Sequence, residues 1–228
     1  MLFLRLKRSK VKEKSVSMGV SSSVQLQDQF TTIQAWPWLK ATTVVKTYTE
    51  GEYDFGIDFA LIMALTGMGV DEAKAMIRSH AKNDTGVINA LTFMITVIAL
   101  SESDKRNEVV RFNRIFDLFD FNRAAQITVD ELAILILCTM SSFGFILNRA
   151  SEVPSDATSI DLANAFYEQL GKKRSDKIGK DELLGLVTDR MFKTGALSID
   201  ALFERLSCGP VALLKEPEED RKNAVKSR

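Results

Sequence analysis

The stretch that most constrains this chain is Asp120 to Glu131, DFNRAAQITVDE, a polar dozen set between the apolar patterns FNRIFDLF and LAILILCTM. Apolar residues recurring every three or four positions on both sides predict two amphipathic helices. Twelve residues between them suffice for one tightly wound loop. Oxygen-bearing side chains stand first, third, ninth and twelfth in it, as Asp120, Asn122, Thr128 and Glu131. Ile127, eighth, is an apolar residue in polar company.

That spacing resembles the calcium loop of the EF-hand superfamily, the helix-loop-helix group that includes calmodulin. The resemblance implies calcium ligands at Asp120, Asn122, the Gln126 carbonyl, Thr128 and a bidentate Glu131. It also implies that Ile127 pairs with a neighbouring loop in a short β-bridge. Two positions depart from the pattern. Ala124, fifth, offers no side-chain oxygen, and Ala125, sixth, stands where the sharp turn wants glycine. Holding alanine in a positive-φ turn costs about 1 kcal/mol relative to glycine. About five oxygens, with Thr128 or water as another, face an ion that takes 6–8, so the expected affinity is poorer than the ~10⁻⁷–10⁻⁵ M of cytosolic sensors.

Two more segments fit the same frame without its metal chemistry. With Ile88 placed eighth, a loop runs from Ala81 to Thr92 and Gly86 falls sixth. Its first and twelfth residues are Ala81 and Thr92, and Asp84, fourth, points away from any ion. Its start precedes that of the Asp120 loop by 39 residues, the tandem spacing of paired EF-hands, so these two loops are expected to pair. Farther on, IDLANAFYEQL predicts a helix, GKKRSDKIGKDE a loop, and LLGLVTDRMF a second helix. Ile178 is eighth and Glu182 twelfth, but Gly171 and Lys173 replace ligands, and the lysines and arginine of the loop repel a divalent cation. KTGALSIDALFERL, with Gly195 and Leu197 at matching offsets, reads as half a unit.

Apolar residues at the eighth place, Ile88, Ile127 and Ile178, persist where ligands do not, which predicts a chain that folds without calcium. The expected fold is all-α, with EF-hand-like helix-loop-helix pairs joined by short loop-to-loop β-bridges. Residues 1–53 form a basic, partly disordered segment with a Trp-Pro-Trp strip, and 54–148 a paired lobe. Residues 149–158 are a linker, 159–210 a degenerate second lobe, and 211–228 a charged, disordered tail.

Thirty basic residues balance thirty acidic ones, so no bulk field argues for nucleic acid. Cys138 and Cys208 lie in apolar runs as packed thiols of a reducing compartment, which points to the cytoplasm. The first residues are locally basic: Arg5, Lys7, Arg8, Lys10, Lys12 and Lys14 oppose only Glu13. Membrane contact through this tail is one expectation. A second route is the pattern Met18-Gly19-Val20-Ser21-Ser22-Ser23, which fits N-myristoylation if translation begins at Met18. In QAWPWLK, residues 34–40, Pro37 holds Trp36 extended, and the two tryptophans are expected to plug a groove on their own chain. His80, the one histidine, is read as lying on a polar helix face, and no nucleophile or phosphate-loop motif accompanies it. The chain is expected not to be an enzyme.

Leu132–Leu147 and Gly86–Leu100 carry no charge, yet each falls short of the ~20 residues of a spanning helix. Helices apolar all round must be buried on more than one face. In paired EF-hands such helices line a groove, to be covered by the tryptophan strip, the C-terminal lobe or another protein. The expected function is an interaction or scaffold protein, largely calcium-independent, that binds a partner helix or segment through that groove. The alternative is a calcium sensor with its single weak site at residues 120–131. Either reading places it in the cytoplasm, with cytoskeletal or membrane association as an extension.

Overall fold

The computed structural model describes residues 30–51, 53–80, 86–101 and 108–191, with Phe203, Leu206 and Ser207. The basic tail, Met18 to Ser23, Ala81 and Asp84, Gly195 and Leu197, Cys208 and residues 211–228 lie outside them. The described chain is mostly helical, with short antiparallel strands.

Its elements repeat one phrase of helix, strand, helix. The first two units are α1 (Trp38–Glu50), β1 (Gly56–Asp58) and α2 (Phe59–Thr66), then α3 (Val70–His80), β2 (Val87–Asn89) and α4 (Ala90–Leu100). The next two are α5 (Glu108–Asp117), β3 (Gln126–Ile127) and α6 (Val129–Ile146), then α7 (Asp156–Gln169), β4 (Ile178–Gly179) and α8 (Lys180–Met191). Short polar residues start the helices that follow these strands or turns, because their side chains satisfy amides that lack an intrahelical partner. Asp58 accepts from the Leu61 amide at 2.8 Å, Asn89 from that of Thr92 at 2.9 Å, and Ser155 from that of Thr158 at 3.3 Å. Asp71 lies in the first turn of α3, and the Glu72 carboxylate accepts from the Gly69 amide.

The strands pair within neighbouring units. β1 and β2 are antiparallel with Ile57 opposite Ile88, and β3 and β4 are antiparallel with Ile127 opposite Ile178. The loop of residues 81–92 therefore does not pair with that of 120–131. Its partner is a unit whose first helix falls within residues 1–53, expected to be a partly disordered segment. α1 begins at Trp38, with Pro37 as its N-cap, where the fixed φ of proline suits the entry to a helix. Trp36 is buried and Trp38 packs against the core from the start of α1, so the strip does cover its own chain, half of it as helix.

α4 and α6 form the centre. All eleven residues of α4 are buried, against α6, α1 and α5. α6 packs on α4 and on α7. Its length and composition would allow it to cross a membrane, but two-thirds of it is buried inside the fold. The α6–α7 corner is tight. A Cβ on Gly144 would come within 2.6 Å of a Val153 methyl, and the chain leaves α6 through Asn148 at φ 57°. Phe203 and Leu206, from the expected half unit, are buried in the same core.

Candidate functional site

The loop between α5 and α6 is wound as its spacing requires. Arg123 and Ala125 both take positive φ, 57° and 56°, so alanine does occupy the strained turn. Asp120 is buried, and its two carboxylate oxygens accept from the amides of Ala124 at 2.9 Å and Ala125 at 2.7 Å. The Asn122 side-chain oxygen accepts from the same Ala124 amide at 3.1 Å. Asp120 and Asn122 are thus brought together. Gln126 pairs opposite Gly179 in the β3–β4 ladder.

Glu131 is used elsewhere. Its Oε2 accepts from the Thr128 amide at 2.7 Å and from the Thr128 hydroxyl at 2.9 Å. The Glu131 amide donates in turn to Thr128 Oγ1 at 3.2 Å, which completes a reciprocal cap at the head of α6. The donor set suits a hard cation only after Glu131 leaves that cap. A helix cap of this kind is worth about 0.5–2 kcal/mol, and each 1.4 kcal/mol is about tenfold in affinity. That cost alone would weaken any cation binding by roughly twofold to thirtyfold.

The other loops differ in their electrostatics. Between α1 and α2, Glu50, Glu52, Asp54 and Asp58 alternate ahead of and after Ile57, a spacing that sequence reading missed although its oxygens stand first, third, fifth and ninth. Leu61 takes the twelfth place, and Asp58 is engaged as the cap of α2. Between α7 and α8, Lys172 lies against Glu182, and the Glu182 carboxyl is held below its usual range by the Lys172 hydrogen bond first and the Gly179 amide second. Among the described residues, no three His, Cys, Asp or Glu side chains gather closely enough to hold a metal ion.

His80 is not on a polar face. Ala73, Met76, Ile77 and His80 share the buried face of α3, spaced three and four apart as a helix requires. The imidazole lies among Phe30, Phe93 and Phe145, with centroids 5.7, 6.1 and 4.8 Å away. Its Nδ1 is 3.0 Å from the Met76 carbonyl, and its Nε2 is 3.3 Å from Thr96 Oγ1. Thr96 Oγ1 is in turn 2.9 Å from Ser142 Oγ, which links α4 to α6. Burial lowers the His80 pKa to about 4, so the ring is neutral at physiological pH. A cavity of about 290 Å³ adjoins it, lined also by Thr92, Cys138 and Phe145. Cys138 is buried, and burial pushes its thiol up to about 11, which suits packing rather than nucleophilic work.

Arg111 was not anticipated. Its side chain is fully buried at the start of α5 and donates to the carbonyls of Ile98, Ala99 and Ser101 at the C-terminus of α4. The guanidinium also lies 5.2 Å from the centre of the Trp38 ring. One side chain thereby fastens the first, second and third units.

Helix α4 and the uncharged body of α6 from Leu132 onward cover one another, so the groove they were expected to line is filled by the chain itself. The exposed apolar side chains include an aromatic group. Phe55 and Phe121, from the first and third loops, are exposed and meet edge to face at 5.7 Å, with Tyr53 and Phe59 exposed on the first unit. Compared with known proteins, the chain matches no family model, no curated protein and no solved structure.

Proposed function

We propose that this chain is an EF-hand-type interaction or scaffold protein, largely independent of calcium, that holds a protein partner in the cytoplasm. The observation that carries the reading is the use made of the two twelfth-place carboxylates. Glu131 caps its own helix through Thr128, and Glu182 accepts from Lys172 and the Gly179 amide. Each is engaged by donors of the chain itself, so the packing around β3 and β4 needs no ion to complete it. The repeated helix-strand-helix phrase with isoleucines facing across paired loops agrees with two EF-hand pairs. With the α4–α6 seam closed internally, a partner segment would reach its groove only by displacing cover, or would dock on the outer aromatic edge at Phe55 and Phe121. Contact with a membrane through the basic tail, or a lipid on Gly19 if Met18 is the start, would add a second attachment to the same scaffold role.

The alternative reading is a regulator with one weak calcium site at residues 120–131. It is favoured by the loop being already wound, with Asp120 and Asn122 sharing the Ala124 amide. Calorimetric titration at physiological magnesium, on the parent and on Glu131→Gln, separates the two. A folded apo protein with no binding below millimolar calcium supports the scaffold. Micromolar binding that disappears in Glu131→Gln would replace it with the sensor.

A further inference from the structure

We propose that the ammonium of Lys172 is the built-in cation of the loop 171–182, seated where a divalent ion would otherwise lie and holding that loop closed at any calcium concentration. The proposal rests on the helix-loop-helix reading of residues 171–182 given above.

The geometry is specific about partners. Lys172 Nζ donates to the Lys177 carbonyl at 2.7 Å and to Glu182 Oε2 at 2.7 Å. Counted from Gly171, these are the seventh and twelfth residues, the two places at which an EF-hand loop supplies a main-chain carbonyl and a bidentate carboxylate to its ion. An ammonium has three donors and no acceptor, so an oxygen cage built for a cation accepts it without rearrangement. Glu182 Oε2 also takes the Gly179 amide at 2.8 Å, within β4. One lysine therefore closes the loop from its second residue to its last and reaches the strand between them.

The stem of Lys172 is held as well as its head. Gly171 sits at φ 65° past the end of α7, and the Lys172 amide donates to the Tyr167 carbonyl at 2.9 Å, which aims the side chain back across the loop. The side chain is only about one-fifth exposed, well below an ordinary surface lysine. Asp176 steadies the turn, accepting from the Lys173 amide at 2.8 Å. The Tyr167 hydroxyl ties this loop to its neighbour, donating to the Ile127 carbonyl at 3.1 Å and lying 3.3 Å from that of Asp176. Through Tyr167 and the Ile127–Ile178 pair, a fourth loop fixed by its own lysine steadies the third.

The test uses the full chain labelled for NMR, as parent, Lys172→Met and Lys172→Arg. Two readouts are the titration of the Glu182 carboxyl carbon and amide exchange in β3 and β4. In the parent, Glu182 titrates below the ordinary glutamate range and its resonance ignores millimolar calcium. In Lys172→Met, which keeps the stem and drops the charge, the midpoint rises toward the ordinary range, the Gly179 amide still holding part of the shift, and β3–β4 exchange quickens about twofold to fivefold, the span a part-exposed ion pair supports. Lys172→Arg, longer and planar, recovers the Glu182 midpoint without the carbonyl bond and leaves part of the quickened exchange. A Glu182 midpoint indifferent to Lys172→Met, or a Glu182 resonance that moves with millimolar calcium in the parent, overturns the proposal. Calcium shifts at Glu131 alone would refute the scaffold reading while leaving this one standing.

Discussion

Removing the guanidinium of the buried Arg111 should destabilise the fold severely. Arg111→Met keeps most of the aliphatic stem and deletes the fork that satisfies Ile98, Ala99 and Ser101. Carbonyls stripped of a buried partner cost about 1–3 kcal/mol each. A cation at a helix C-terminus contributes up to ~2 kcal/mol in partly buried geometry, and stacking on Trp38 adds about 1 kcal/mol. Against these losses stands relief from burying a charge, which amounts to several kcal/mol. The net expectation is a loss of about 3–5 kcal/mol, because three unmet carbonyls at about 1–3 kcal/mol each, with the dipole and ring contacts, outweigh that relief. Urea unfolding followed by tryptophan emission measures it directly, since Trp38 lies on the guanidinium. The midpoint should fall by more than about 1 M with little change in slope, given slopes of about 1–3 kcal/mol/M for small proteins. Arg111→Lys should recover less than half, because a single ammonium cannot reproduce a planar fork spread over three carbonyls. A loss under about 1 kcal/mol for Arg111→Met, or full rescue by lysine, would show that the guanidinium is a bystander and the reasoning wrong.

Two further outcomes follow from backbone and proton chemistry. Ala125→Gly relieves a left-handed alanine at φ 56° and should raise stability by about 1 kcal/mol in the same urea assay. His80 is neutral when folded, with a pKa lowered to about 4, whereas the unfolded chain titrates near 6.5. Between those values the unfolded state binds more protons, so stability is complete above about pH 6.5 and declines as pH falls toward 4, by about 3 kcal/mol in all. Urea midpoints across that window should show the decline, and His80→Phe should flatten its histidine component.

The sequence made some of this legible and hid the rest for identifiable reasons. Ile88, Ile127 and Ile178 stood out because an isoleucine inside a polar loop has few uses other than packing, and all three are buried at the strand pairs. Ile57 escaped notice because it sits in GIDF, directly before the apolar run of α2, where one more apolar residue does not stand out. That one omission left the second unit without its partner, and spacing along the chain then assigned it the third. The winding of the Asp120 loop, down to the strained Ala125, was readable because backbone geometry there is local. The fate of Glu131 was not, since a carboxylate three residues after Thr128 serves a cap or an ion equally well. His80 was misjudged from polar neighbours when the positions three, four and seven residues earlier, Ile77, Met76 and Ala73, carried the better signal. Arg111 and Lys172 are long-range or cross-loop contacts, and nothing in a pattern of residue types tells a basic side chain which carbonyl it will find.

A helix with no solvent face also governs how the chain is made and how it comes apart. α4 takes its cover from α1, synthesised before it, and from α5 and α6, synthesised after it. A ribosome that has released only the first two units has therefore produced a helix of eleven uncharged residues, nine of them apolar, with half its shelter still untranslated. Such a nascent chain is a client for a holding chaperone until α6 emerges. The same geometry makes the finished molecule hard to halve. Severing the backbone between α4 and α5 should leave fragments that stay together, because each carries the other's missing wall.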